Sequence, residues 1–123
     1  GRPAQRQACQ GVQGDQMSLD VYLKATRHVN IYDANITHNL STMAAAAGIY
    51  KHLWRPDEIG ITKAAQLVEP LKAGLELLMS DPERFRRMNP ANNWGSYEGL
   101  VEFVNNYLMA CTENQDADIE VSR

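Results

Sequence analysis

The stretch Ser18-Leu19-Asp20-Val21-Tyr22-Leu23-Lys24 decides the fold. Leu19, Val21 and Leu23 alternate with Asp20, Tyr22 and Lys24, the two-residue period of a strand with one buried face. A polar segment over Lys24–His28 follows, and Val29 and Ile31 then alternate with Asn30 and Tyr32. The two runs predict a β-hairpin, although the turn lacks the strongest two-residue signal. At the far end Ile119 and Val121 alternate with Asp118, Glu120 and Ser122. This predicts a third short strand, whose charged outer face suits a solvated sheet surface or edge.

Between the strands the period changes to that of helices. Asn35 or Thr37 is placed to cap a helix whose apolar positions are Leu40, Met43, Ala44 and Ala47. Gly48 suits a left-handed C-cap, and Arg55-Pro56 prevents easy continuation. Thr62 is placed to cap the next helix, with Ala64, Leu67, Val68, Leu71, Leu75 and Leu78 on one stripe. Pro70 lies inside that stripe and is expected to kink the helix or divide it. Ser80-Asp81-Pro82-Glu83 fits a capping box opening a short helix through Met88. Asn89 to Gly95 reads as a loop. Ser96 then caps the cleanest helix, with Leu100, Val101, Val104, Tyr107, Leu108 and Cys111 on one face.

The order is ββααααβ, and a late strand after a helical block most simply rejoins the first hairpin. The expected fold is therefore α+β: a small antiparallel sheet, made of the N-terminal hairpin and the C-terminal strand, packed against three to four helices. A helical bundle with a peripheral hairpin is the alternative. The 123 residues suit a single domain with one core.

Residues 1–16 differ from the rest. They hold five glutamines and three glycines, with only Ala4, Ala8, Cys9 and Val12 apolar and no period among them. There is no long apolar centre of the kind a secretory signal has. Met17 is accordingly read as the natural start, residues 1–16 as a flexible leader or added extension, and residues 17–123 as one α+β domain.

Composition narrows the function classes. The net charge of −3 supplies no general pull toward nucleic acid or an acidic membrane. No apolar run approaches the roughly 20 residues that span a bilayer. The two cysteines, Cys9 and Cys111, make neither a disulfide framework nor a multi-cysteine metal site.

Four clusters are candidates for chemistry, and each has a plainer competitor. Asn35, Thr37, His38 and Asn39 gather donors at a predicted helix start, where an anion is favoured; ordinary capping explains them equally simply. Trp54 and Arg55 can stack on and fork toward a base or carboxylate. More commonly such a Trp plugs the core while the Arg pairs with an acid such as Asp57 or Glu58. The loop Asn89–Tyr97, with Asn92, Asn93, Trp94 and Tyr97, has the ingredients of a pocket wall, yet Asn and Gly are also what an irregular turn requires. Arg84, Arg86 and Arg87 could grip phosphate, but an acidic domain favours a solvated helix face.

Catalytic signatures are sparse. There is no Gly-rich phosphate loop, paired-Cys motif, His-Glu-x-x-His or Gly-x-Ser-x-Gly. On one continuous helix His38 and His52 would stand roughly 21 Å apart, too far to share a metal. His38 is the candidate general base, with Asp33 or a more distant acid to orient it. Cys111 falls on an apolar stripe and reads as a small core residue.

Met17-Ser-Leu-Asp-Val-Tyr-Leu, Asn35-Ile-Thr-His-Asn-Leu, Ala47-Gly-Ile-Tyr, Leu53-Trp-Arg-Pro and Asn93-Trp-Gly-Ser-Tyr together resemble a family of short proteins from bacterial, phage and prophage genomes. The likeness runs from Met17 to Val121-Ser122-Arg123. It implies a small accessory protein of the bacterial cytoplasm and carries no named activity.

Three functions follow as expectations. The first is a non-catalytic protein binding a small polar or anionic ligand, such as a nucleotide. Its site would join Asn35, Thr37, His38, Asn39, Trp54, Arg55, Asn92, Asn93, Trp94 and Tyr97. The second is a protein–protein adaptor or inhibitor of a host factor, led by an exposed aromatic or Arg anchor. The third is a small His38-dependent enzyme. No metal or cofactor is expected, no membrane or nucleic-acid partner is indicated, and a homo-oligomer is compatible with the sequence.

Overall fold

The computed structural model describes residues 18–25 and 30–123. The expectations for residues 1–16, Met17, Cys9, the hairpin turn, His28 and Val29 lie outside the described residues. The fold is α+β with a three-stranded antiparallel sheet.

Strand β1 (Ser18–Lys24) is central, between β2 (Asn30–Thr37) and β3 (Asp118–Ser122). Leu19, Val21 and Leu23 are fully buried, as the alternation predicts. In an antiparallel ladder, directly opposed residues share a face, so this buried row dictates the neighbours. Leu19 opposes Ile36, Val21 opposes Ala34 and Leu23 opposes Tyr32. On the other side Val21 opposes Val121 and Leu23 opposes Ile119.

That register corrects the reading of β2. Tyr32, Ala34 and Ile36 face the core, while Ile31 is 40% exposed. The phase drawn from Val29 and Ile31 is one residue out, and the ladder shifts between Leu23 and Lys24. The strand also continues through Asn35-Ile36-Thr37, so Asn35 caps no helix. Thr37 does cap: its hydroxyl accepts the N–H of Asn39 at the head of a 3₁₀ turn, His38–Leu40.

Helix α1 (Ser41–Ala46) follows and buries Met43 and Ala44. Gly48 reverses the chain at φ 81°, the left-handed position its sequence context suggests. A helix that the apolar pattern does not announce then forms, α2 (Tyr50–Trp54). Pro56 opens a further 3₁₀ turn, Pro56–Ile59.

Helix α3 (Ala65–Ser80) starts without a side-chain cap. Thr62 does not supply one; the Gln66 Oε1 accepts the Thr62 and Lys63 N–H groups instead. The Ala64 and Ala65 N–H groups donate to the carbonyls of Ala117 and Gln115. The orphan donors of a helix start are thereby spent tying α3 to the segment that leads into β3. Pro70 does not divide α3, which runs unbroken through it. It lies early in the helix, where its missing N–H removes a bond only to the first turn.

Asp81, rather than Ser80, caps α4 (Pro82–Arg86), accepting the Arg84 N–H. Ser80 Oγ donates back to the Leu77 carbonyl. Ser96 caps α5 (Tyr97–Glu113) by accepting from Gly99 N–H. Helices α3 and α5 pack on each other, and α5 also lies on β2. Leu67, Leu71 and Leu78 from α3 meet Leu100, Val104, Tyr107 and Cys111 from α5 in one core.

Gly74, buried on α3, marks a close approach. A Cβ there would run into the Ile49 side chain, chiefly its Cγ2. Gly→Ala in a helix ordinarily stabilises by about 1 kcal/mol, whereas overpacking beside a stiff β-branched residue costs about 1–3 kcal/mol. Gly74→Ala is therefore expected to lower the urea midpoint at unchanged slope. A raised midpoint would show that Ile49 moves aside freely.

Candidate functional site

The 3₁₀ turn His38–Leu40 separates two hollows. His38 and Ser41 face one, with Tyr50, Trp54, Arg55 and Arg123 completing a depression of about 380 Å³. Thr37 and Leu40 face the other, of about 390 Å³, between β2 and the start of α5.

In the first hollow the reversal at Gly48 folds α2 back so that Trp54 meets His38. The indole Nε1–H donates to His38 Nδ1 at 2.6 Å. That bond makes Nδ1 the acceptor and leaves the hydrogen of a neutral imidazole on Nε2. Trp54 is 3% exposed and stacks on Tyr50 with ring centroids 5.6 Å apart. Arg55 Nε donates to the Tyr50 hydroxyl at 3.2 Å, and its Nη1 to Glu58 at 3.0 Å. These two bonds, Tyr50 first, raise the Arg55 pKa. Arg123 Nη1 donates to the Trp54 carbonyl at 3.1 Å and to Asp57 at 3.2 Å.

Counting Lys51, which stands 3.9 Å from Glu58, three cationic side chains face two carboxylates here. Each guanidinium is anchored through part of its donor fork only. An imidazole Nε2–H and the Ser41 hydroxyl add donors.

The predicted residues do not all meet. His38, Trp54 and Arg55 share the first hollow; Asn35 and Thr37 line the second. Asn39 faces the Asn89–Gly95 loop, its Nδ2 donating to the Trp94 carbonyl at 3.4 Å. Asn92 accepts the Trp94 N–H at 2.9 Å, so its amide shapes the loop itself. Asn93 takes φ 65°, the left-handed position that asparagine tolerates. Trp94 leaves its ring 67% exposed. Tyr97 is buried, with its hydroxyl donating to the Leu78 carbonyl at 2.8 Å. The loop does not line the hollow of His38 and Arg55, and the side chains of Asn89 and Asn92 are spent on its own backbone.

Trp54, not Asp33, is the partner of the His38 imidazole. Arg84, Arg86 and Arg87 do not converge on a phosphate grip. Arg86 Nε donates to Glu98 at 2.8 Å, and Arg84 lies over the Phe85 ring. The Arg86 bond also holds the Glu98 carboxyl below its ordinary range. Cys111 is buried, and burial pushes its thiol up to about 12. Among the described residues no three His, Cys, Asp or Glu side chains group as a metal cage, and no helix is long and apolar enough to cross a membrane.

Ser41, Tyr50 and Arg123 were not legible as members of the site. Tyr50 stands four residues before Trp54, a helical spacing that would have placed both on one face. Arg123 sits in a strand-end context with no motif to single it out.

His52, between Tyr50 and Trp54, has a buried Nδ1 without a partner among the described residues. Burial lowers its pKa from the ordinary 6.5, so below that value the unfolded chain binds the extra proton first. Its contribution to stability is complete above the unfolded pKa and is lost as pH falls through the window beneath. His52→Gln should therefore lose less stability than the parent between about pH 7 and pH 5, measured by urea unfolding at each pH. Equal losses would remove His52 from the acid response.

The chain matches no family model, no curated protein and no solved structure.

Proposed function

We propose that this protein is a small, non-catalytic binding protein, of the phage or prophage accessory type its motifs resemble. In this reading it takes a small anionic ligand in the hollow bounded by His38, Arg55 and Arg123. One observation carries the reading: two guanidiniums, each held by a carboxylate, edge the same depression as the His38 imidazole. Planar guanidinium forks suit a carboxylate or phosphate. The anchoring carboxylates fix their direction beforehand, so less side-chain entropy is lost on binding.

The test titrates inorganic phosphate, acetate and adenosine monophosphate against the intrinsic tryptophan fluorescence. A saturable change with one of them is expected, weakened by His38→Ala and Arg55→Ala with the melting temperature nearly held. If both variants melt early and the parent binds none of the three, the residues are structural and the reading is wrong.

Trp94 favours a second reading, an adaptor. Its backbone is held at both ends by Asn92 and Asn39 while the ring projects into solvent. A preset exposed indole is the usual form of an interface anchor. Trp94→Ala should then abolish capture of a partner from host lysate without altering the melting temperature; undiminished capture would argue against it.

A further inference from the structure

The second hollow, between β2 and α5, has the opposite chemistry. Its inner wall is apolar, with Ile36 and Phe103, and its polar side chains include Tyr32, Asn35, Glu102 and Asn106. The ion pairs Lys24–Glu120, Lys63–Asp118 and Arg86–Glu98 lie elsewhere on the surface and involve none of these residues. Among the described residues none of these four side chains makes a side-chain hydrogen bond or ion pair. Among the described residues no Lys or Arg lines the hollow.

The start of α5 also opens here, and a helix N-terminus by itself would favour an anion. Its donors are already spent. Tyr97 N–H goes to Asn89 Oδ1 at 2.8 Å, Gly99 N–H to Ser96 Oγ at 3.1 Å, and Leu100 N–H to the Ser96 carbonyl at 3.0 Å. What the hollow offers is one unneutralised carboxylate, two amide oxygens and aromatic faces.

We infer that the β2–α5 hollow binds a primary ammonium group carried on a short alkyl chain. Glu102 takes the charge, the amide oxygens of Asn35 and Asn106 take further N–H bonds, and Phe103 and Ile36 cover the methylenes. The Tyr32 ring, stacked on Tyr107 at 6.0 Å, presents a face to the cation. An ammonium has three donors and no acceptor, so it satisfies carboxylate and amide oxygens together where a neutral alcohol cannot. This site is independent of the anion hollow, and the two sit on opposite sides of the 38–40 turn.

The experiment titrates n-butylammonium chloride, n-butanol, putrescine and doubly capped lysine into ¹⁵N-labelled protein. Saturable shifts of the Gly95 and Gly99 amides and of the Asn35 and Asn106 side-chain signals are expected with the amines. Glu102→Gln keeps the shape and removes the charge, and should weaken binding roughly tenfold or more, the loss expected for a charge-assisted hydrogen bond. Tighter binding of putrescine marks a free amine, and tighter binding of capped lysine a side chain of a partner protein; either supports an ammonium site. Butanol matching butylammonium, Glu102→Gln binding as the parent does, or no saturable shift with any amine overturns the inference.

Discussion

Trp54→Ala is expected to cost about 3–5 kcal/mol of unfolding free energy, the range for removing a large buried aromatic. The indole is nearly out of solvent, stacks on Tyr50, and supplies the hydrogen bond that orients His38. Alanine leaves a cavity that the short helix α2 must collapse around, and leaves His38 Nδ1 without its donor. Trp54→Phe separates the two effects. It keeps most of the ring volume and loses the Nε1–H, so its cost should fall near 1–2 kcal/mol. Urea unfolding with linear extrapolation measures both. A cost below about 1 kcal/mol for alanine would contradict the plugging role and make the indole a free wall of the hollow. The expected order also bears on ligand binding. Because Trp54 holds the fold together, its alanine variant cannot report on the site, and Arg55 and His38 are the residues to vary.

The same contrast explains how much could be read from the chain. Strand β1 and helix α5 were legible because each shows three or more periods of one pattern, which fixes both type and face. Strand β2 shows too few apolar residues to fix its phase. The inward row Tyr32, Ala34 and Ile36 follows only from the opposing residues of β1, a tertiary constraint. Helix α2 is one turn long, and no periodicity criterion resolves so short an element. Its consequence is large, since the Gly48 reversal and α2 together bring Trp54 to a histidine sixteen residues earlier. Residue types alone make Trp54-Arg55 and His38 plausible neighbours, but no local pattern encodes contact between separate turns. The Asn89–Tyr97 loop stays apart from the His38–Arg55 hollow for a different reason. Amides able to bind a ligand are equally able to bind their own backbone, and here Asn89 and Asn92 do so. The β2–α5 hollow escaped notice because Glu102 and Asn106 lie on the exposed side of a helix whose pattern had already been explained by its buried face.

Two tyrosines on α5 provide the final expectation, since removal of the same hydroxyl should have opposite signs ten residues apart. Tyr97 donates to the Leu78 carbonyl in the last turn of α3, where carbonyls lack intrahelical partners. Tyr97→Phe should therefore destabilise by about 1 kcal/mol, the net worth of a hydrogen bond plus part of the penalty for an orphaned acceptor. Tyr107 is fully buried, and its hydroxyl meets no partner among the described residues. Desolvation first, then the neighbouring Cys111 and Tyr32, push its pKa far above the ordinary tyrosine value. A buried hydroxyl left unsatisfied costs roughly 1–3 kcal/mol. Phenylalanine removes that cost while keeping the ring contacts to Tyr32 and Phe103. Tyr107→Phe should thus raise the unfolding free energy by an amount within that range, less the small void left by the oxygen. Both variants are read by urea unfolding at one pH, with the slope confirming that the transition is unchanged. Loss of stability in Tyr107→Phe would mean that its hydroxyl is bonded in solution. Stabilisation together with unaltered ammonium binding would instead separate the packing of the aromatic wall from the recognition proposed for the β2–α5 hollow.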